Sequence, residues 1–138
     1  MKKLILPTII LIISVIFLSS CKKNPFDKRN KYLGTYRFTY SYYTWNSTPY
    51  QSPTITEEYW GKVYYNKKDS KNFIHIEFAQ NMDFSFAIDS DGNISVCGSN
   101  GKFSDKNTVS FEYSSSTCPG NGLGGGTVYN VKGEKKNK

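Results

Sequence analysis

One imidazole stands alone among the side chains that could do acid–base or metal chemistry. His75 is the only histidine in the chain. A serine-type triad would have to use it, yet no G-x-S-x-G elbow presents a nucleophile. Zinc would ask for a second histidine, a C-x-x-C pair or an H-E-x-x-H spacing, and the sequence offers none of these. His75 falls opposite the apolar residues of its own alternating segment, beside Glu77, so it reads as a surface residue. Paired carboxylates need less machinery, because hydrolysis of a glycosidic bond uses two acids about 5 to 10 Å apart. Glu57 and Glu58 are neighbours and would face opposite ways on a strand. Glu77 and Asp83 would share the outer face of a hairpin, where solvation is the simpler reading. The chain is therefore read as non-enzymatic.

Two other motifs fail on context. Gly120-Asn121-Gly122-Leu123-Gly124-Gly125 spells G-x-G-x-x-G, but a phosphate-binding turn needs a helix N-terminus behind it, and Thr127-Val128-Tyr129-Asn130-Val131 reads as a strand. The glycines are read as a flexible loop. Asp89-Ser90-Asp91-Gly92-Asn93 lacks the glycine and glutamate positions of an EF-hand and is read as a hairpin tip. No cofactor and no metal are expected.

The aromatic residues Tyr43, Trp45, Tyr50 and Trp60 carry the functional interest. Residues 42–53 mix aromatic rings, hydroxyls, amides and two prolines, which suits a stiff loop with stacking surfaces at a barrel mouth. Flat rings beside hydroxyls and amides fit a glycan, an apolar ligand or a partner protein. These four are the candidate ligand-binding residues.

The first twenty residues have a different job. Met1-Lys2-Lys3 gives a positive start, residues 4–18 are almost wholly apolar, and Ser19-Ser20 are small, as a secretory leader requires. The apolar run falls short of the roughly 20 residues that a spanning helix needs. Leu18-Ser19-Ser20-Cys21 resembles the lipobox of bacterial lipoprotein precursors. That resemblance implies that the leader is cut before Cys21 and that Cys21 becomes the lipidated first residue, carrying fatty acyl chains such as palmitate. Two or more chains anchor firmly where one anchors marginally. No Asp follows Cys21, so the resemblance also implies the outer membrane rather than retention at the inner one, with the periplasmic or surface face left open.

With Cys21 assigned to lipid, Cys97 and Cys118 remain, and an exported chain places them where a disulfide between them is expected. Loss of Lys2 and Lys3 with the leader leaves 16 basic against 11 acidic side chains, a net charge of +5. Lys22, Lys23, Lys28, Arg29 and Lys31 crowd one end and Lys132, Lys135, Lys136 and Lys138 the other. Basic terminal segments of this kind are read as solvated and mobile, with at most a salt-sensitive attraction to anionic lipid or polysaccharide. A nucleic-acid partner is disfavoured by the exported address and by the terminal placement of the charge.

The elements that must position these residues are strands. Tyr36, Phe38, Tyr40 and Tyr42 alternate with Thr35, Arg37, Thr39 and Ser41, which predicts a half-buried strand. Ile74, Ile76 and Phe78 alternate with His75 and Glu77. Met82, Phe84, Phe86 and Ile88 alternate with Asp83, Ser85, Ala87 and Asp89, and Asp91-Gly92 predicts a tight hairpin into Ile94 and Val96. Continuing to residue 131 gives about eight short strands, and their turn-sized links favour an antiparallel up-and-down meander. The opening Tyr32-Leu33-Gly34-Thr35-Tyr36 is similar to the G-x-aromatic start of lipocalin-like barrels. The expected fold is all-β, a small barrel or a sandwich. Residues 1–20 are the leader, 21–30 a flexible basic tether, 31–133 one β domain and 134–138 a basic disordered tail. The expected function is a lipid-anchored binding module of the cell envelope for an apolar or glycan ligand. The alternative is a protein-interaction module, such as an enzyme inhibitor or toxin-immunity lipoprotein, and a glycan-active hydrolase ranks lowest.

Overall fold

The computed structural model describes residues 26–47, 51–117 and 124–136. The leader, Cys21, Tyr50 and Cys118 lie outside the described residues. Eight strands follow one another: β1 (Gly34–Asn46), β2 (Ile55–Tyr64), β3 (Phe73–Ala79), β4 (Met82–Ile88), β5 (Asn93–Val96), β6 (Ser99–Phe103), β7 (Thr108–Ser114) and β8 (Gly125–Lys135). Each pairs antiparallel with the next, and β8 returns to β1, so the sheet closes into an up-and-down barrel rather than a sandwich. Closure leaves far less open edge than a flat sheet of the same strands.

The interior is built from the expected alternation. Tyr36 and Phe38 have no exposed surface and Tyr40 is buried, while Thr35, Arg37 and Thr39 between them are exposed. Ile74, Ile76, Phe78 and Phe86 complete a core with no accessible surface of its own. Rings meet edge to face, as their quadrupoles favour: Phe78 and Phe111 have centroids 5.3 Å apart at 78°. Glycine makes the room. A Cβ on Gly133 would fall 2.5 Å from the Phe38 ring, so β8 must be bare at that point for β1 to carry an aromatic. The interior is thus filled by side chains, not hollow.

Strand direction assigns every connection to an end. The links β1–β2, β3–β4, β5–β6 and β7–β8 lie at one end, here the mouth, while β2–β3, β4–β5 and β6–β7 lie at the base, where β1 begins and β8 ends. Asp89 accepts backbone bonds from Asp91 and Asn93 at the β4–β5 turn, and Gly92 supplies a φ of 82°. That is the hairpin predicted from Asp91-Gly92.

The base is closed by residues expected to lie on the tether. Lys28–Tyr32 forms a 3₁₀ turn capped by the Asp27 carboxylate, which accepts from the Arg29 backbone N–H. Arg29 is only 5% exposed. Its guanidinium donates to Asp27, to the Ser70 and Phe73 carbonyls, and lies 3.9 Å from the Tyr65 ring centroid. Tyr32 stacks on Phe103 at 4.2 Å, and Tyr36 Oη donates to the Tyr32 carbonyl at 2.7 Å. The folded unit therefore starts before residue 31, and β8 carries it past 133 to Lys135. A charge run looks solvated in sequence, but here one of its cations is used to satisfy buried carbonyls.

Candidate functional site

The outer wall across β1, β8, β7 and β6 carries an open groove of about 950 Å³. Its position follows from register. On β1 the outward residues are Thr39, Ser41, Tyr43 and Trp45. Ser41 lies opposite Thr56 of β2 and Asn130 of β8, and Thr39 lies opposite Lys132. Ser110 of β7 lies between Lys132 and Lys102. The groove is thus lined by hydroxyls from Thr39, Ser41, Thr56 and Ser110, amides from Asn100 and Asn130, and charges from Lys102, Lys132 and Glu134. Glu134 lies 3.6 Å from Arg37 and 3.8 Å from Lys132, surface pairs that orient side chains more than they stabilise. Such a surface can exchange hydrogen bonds with a polyol along several strands at once.

Tyr43 and Trp45 extend the same outward face of β1 from Ser41 towards the mouth, both half-buried. The sequence predicts a loop over residues 42–53, but β1 continues to Asn46 because β8 pairs with it as far as Asn46 opposite Gly125. Tyr43 faces Val128 and Trp45 faces Gly126 across that ladder. The chain then folds back: Ser52 N–H donates to the Thr44 carbonyl at 2.9 Å and its Oγ accepts from Thr44 N–H at 2.8 Å. The two rings therefore sit on a ladder-paired strand rather than on a loop.

Trp60 does not join them. It is 57% exposed on β2, opposite Arg37, with Lys136 Nζ 5.7 Å from its ring. Arg37 is eight positions from Trp45 along β1, roughly 26 Å at about 3.3 Å per residue. The structure brings Tyr43 and Trp45 together and separates Trp60 from them. Tyr50 lies outside the described residues.

The candidate acids do share the outer face of the β3–β4 hairpin, with Glu77 opposite Asp83. Each holds a tyrosine from β2. Tyr59 Oη donates to Glu77 at 2.7 Å and Tyr64 Oη to Asp83. The bond to Asp83 pushes the Tyr64 phenol up to about 12. His75 stacks on Tyr64 at 5.0 Å, with Nε2 3.0 Å from Asp69 and Nδ1 3.8 Å from Asp83. A third pair lies at the inner rim of the mouth, where Tyr40 Oη donates to Glu57 at 2.5 Å; burial, then this carboxylate, raises the Tyr40 phenol. Sequence reasoning missed these phenol–carboxylate pairs. Tyr59 and Tyr64 were visible as residues of β2, but their partners depend on the β2–β3 register.

No protein family, no curated protein and no solved structure matches this chain.

Proposed function

We propose that this protein is a lipid-anchored, non-enzymatic binding module of the cell envelope that holds a glycan along its outer groove. The observation that carries the reading is the continuous outward face of β1. There the hydroxyls of Thr39 and Ser41 run directly into the rings of Tyr43 and Trp45, beside the amides of Asn130 and Asn100. Sugars are recognised by this pairing of hydrogen-bonding side chains with flat apolar faces. The packed interior favours the wall over an enclosed apolar site, since Phe38, Phe78 and Phe86 are fully buried inside the barrel. The anchor comes from the lipobox-like Leu18-Ser19-Ser20-Cys21, and the 3₁₀ turn that follows it enters the barrel at the base, away from the mouth. An outer-membrane address follows from the same resemblance.

The Cys97–Cys118 disulfide belongs to this reading. Its support is proximity: a Cβ placed on Gly98, next to Cys97, would lie 3.9 Å from Thr117 Cβ, one residue before Cys118.

Calorimetric titration of the full-length lipidated protein against a panel of neutral and anionic polysaccharides tests the function. The Tyr43→Ala/Trp45→Ala variant should lose at least about tenfold in affinity while Trp60→Ala keeps it, because hot spots concentrate in a few aromatic anchors. Undiminished binding in the double variant sinks the groove assignment.

A protein partner is the second reading, favoured by the edge of β2. Residues 55–61 pair with β1 but have no partner in β3, whose pairing with β2 begins at Lys62. Among the described residues that edge is open, and Ile55 and Trp60 beside it are exposed. An added strand would slow amide exchange along residues 57–60, beyond the groove-lining Thr56, which a glycan in the groove would not.

A further inference from the structure

The connections of the barrel are electrically lopsided. Among the described residues, the connecting segments at the mouth, residues 47, 51–54, 80–81, 97–98, 115–117 and 124, contain no Lys, Arg, Asp or Glu. At the base, the β2–β3 connection carries Lys67, Lys68 and Lys71 with Asp69, the β4–β5 connection carries Asp89 and Asp91, and the β6–β7 connection carries Lys106 with Asp105, so the excess of cations there comes from the 3₁₀ turn and from the lysines grouped around it. The 3₁₀ turn adds Lys28 and Lys31 at the same end. These cations are scattered in sequence and are gathered only by the alternation of strand direction.

Between them lies a pocket of about 220 Å³, lined by Lys28, Lys31 and Lys71 with Asn72 and Ser90. Two other charged groups line it. Arg29 is committed to Asp27 and to two backbone carbonyls. The Asp89 carboxylate accepts from the backbone N–H of Asp91 and Asn93 and from Asn93 Nδ2, so its oxygens are taken up by its own turn. The three lysines remain exposed, with Lys31 Nζ resting 4.7 Å from the Tyr32 ring centroid.

We infer that the base is a docking surface for the phosphate headgroups of anionic phospholipids, which seats the barrel upright on the membrane that holds its anchor. The inference rests on the lipid anchor proposed above. Only six residues separate Cys21 from Lys28, so acyl chains at Cys21 would hold the base, and not the mouth, within reach of the bilayer surface. Each lysine near an anionic leaflet contributes on the order of 1 kcal/mol of attraction within a Debye length. The mouth and the outward end of β1 at Tyr43 and Trp45 would then point away from the membrane.

The test is lysine acetylation of the full-length lipidated protein, read residue by residue by mass spectrometry. The protein is bound to vesicles of phosphatidylcholine alone or with phosphatidylglycerol added. Lys28, Lys31 and Lys71 should label at least about threefold more slowly on the anionic vesicles, with the difference removed by high salt, while Lys62 on the barrel wall labels equally on both. The exposed-loop variant Lys67→Glu/Lys68→Glu/Lys71→Glu should lose the protection at Lys28 and Lys31. Flotation separates the two premises. A chain that floats with both vesicles and labels its base lysines equally overturns the docking surface alone, and one that floats with neither overturns the anchor and the docking surface together. One that floats only with anionic vesicles supports docking without an anchor. Equal protection by inorganic phosphate in neutral detergent micelles assigns the pocket to a free anion and overturns the membrane reading.

Discussion

The guanidinium of Arg29 lies 2.7 Å from the Asp27 carboxylate, two residues earlier in the chain, and it faces the interior of the base rather than solvent. The pair locks the 3₁₀ turn to the rest of the barrel because the same guanidinium reaches the Ser70 and Phe73 carbonyls at 3.0 and 2.6 Å. Replacing Arg29 with Ala strands a buried carboxylate and two carbonyls. It should cost about 3 to 5 kcal/mol in a urea melt, whereas an exposed neighbour such as Lys28→Ala should cost little.

The same pair sets an acid limb on stability. Asp27 is held below its ordinary value of 3.8, chiefly by the hydrogen bond from Arg29, against an opposing burial effect. Its folded pKa is depressed, so the stabilisation is present above the unfolded value near 3.8 and is lost as the pH falls through the lower folded value. Asp27→Asn should be less stable than the native chain at neutral pH and should show a shallower loss of stability as the pH falls below the ordinary carboxylate value, measured by urea melts at stepped pH.

Gly133→Val should open the seam that closes the barrel. Any Cβ there meets the Phe38 ring at 2.5 Å and Val109 Cγ1 at 2.9 Å, and neither can move without displacing the core. The expected loss is about 1 to 3 kcal/mol by urea denaturation. Pairing it with Phe38→Leu should recover part of that loss, since the cost is crowding rather than the glycine backbone.

The proposed Cys97–Cys118 disulfide would close a loop of about twenty residues, so Cys97→Ser should lower stability by about 3 kcal/mol under oxidising conditions and should match the native chain once that is reduced. Two labelled thiols in the denatured, unreduced protein would remove the disulfide from the account.

Alternation made the barrel legible. Tyr36 to Tyr42 and Ile74 to Phe78 announce their inner faces in sequence, and Asp91-Gly92 announces its turn, since both signals depend on residues two to four apart. Closure, base and groove depend on partners far apart in the chain, such as Ser41 with Asn130 and Arg29 with Phe73. Arg29 misled for the same reason: its local company is a charge run, and only the strand register places the Ser70 and Phe73 carbonyls above it. Trp60 looked like a companion of Trp45 because sequence distance says nothing about which half of a strand faces which.

The pairing of β1 with β8 also dictates an order of events. Tyr36 must meet Lys135, and Asn46 must meet Gly125, so the first strand waits for the last before either has its full set of neighbours. Until β8 has left the ribosome, β1 and β7 are sticky ribbons without a lid, and the nascent chain can at best form hairpins. Ring closure by such distant segments is slow, and a chain that stalls or is clipped within β8 is an aggregation hazard rather than a shortened version of the same molecule.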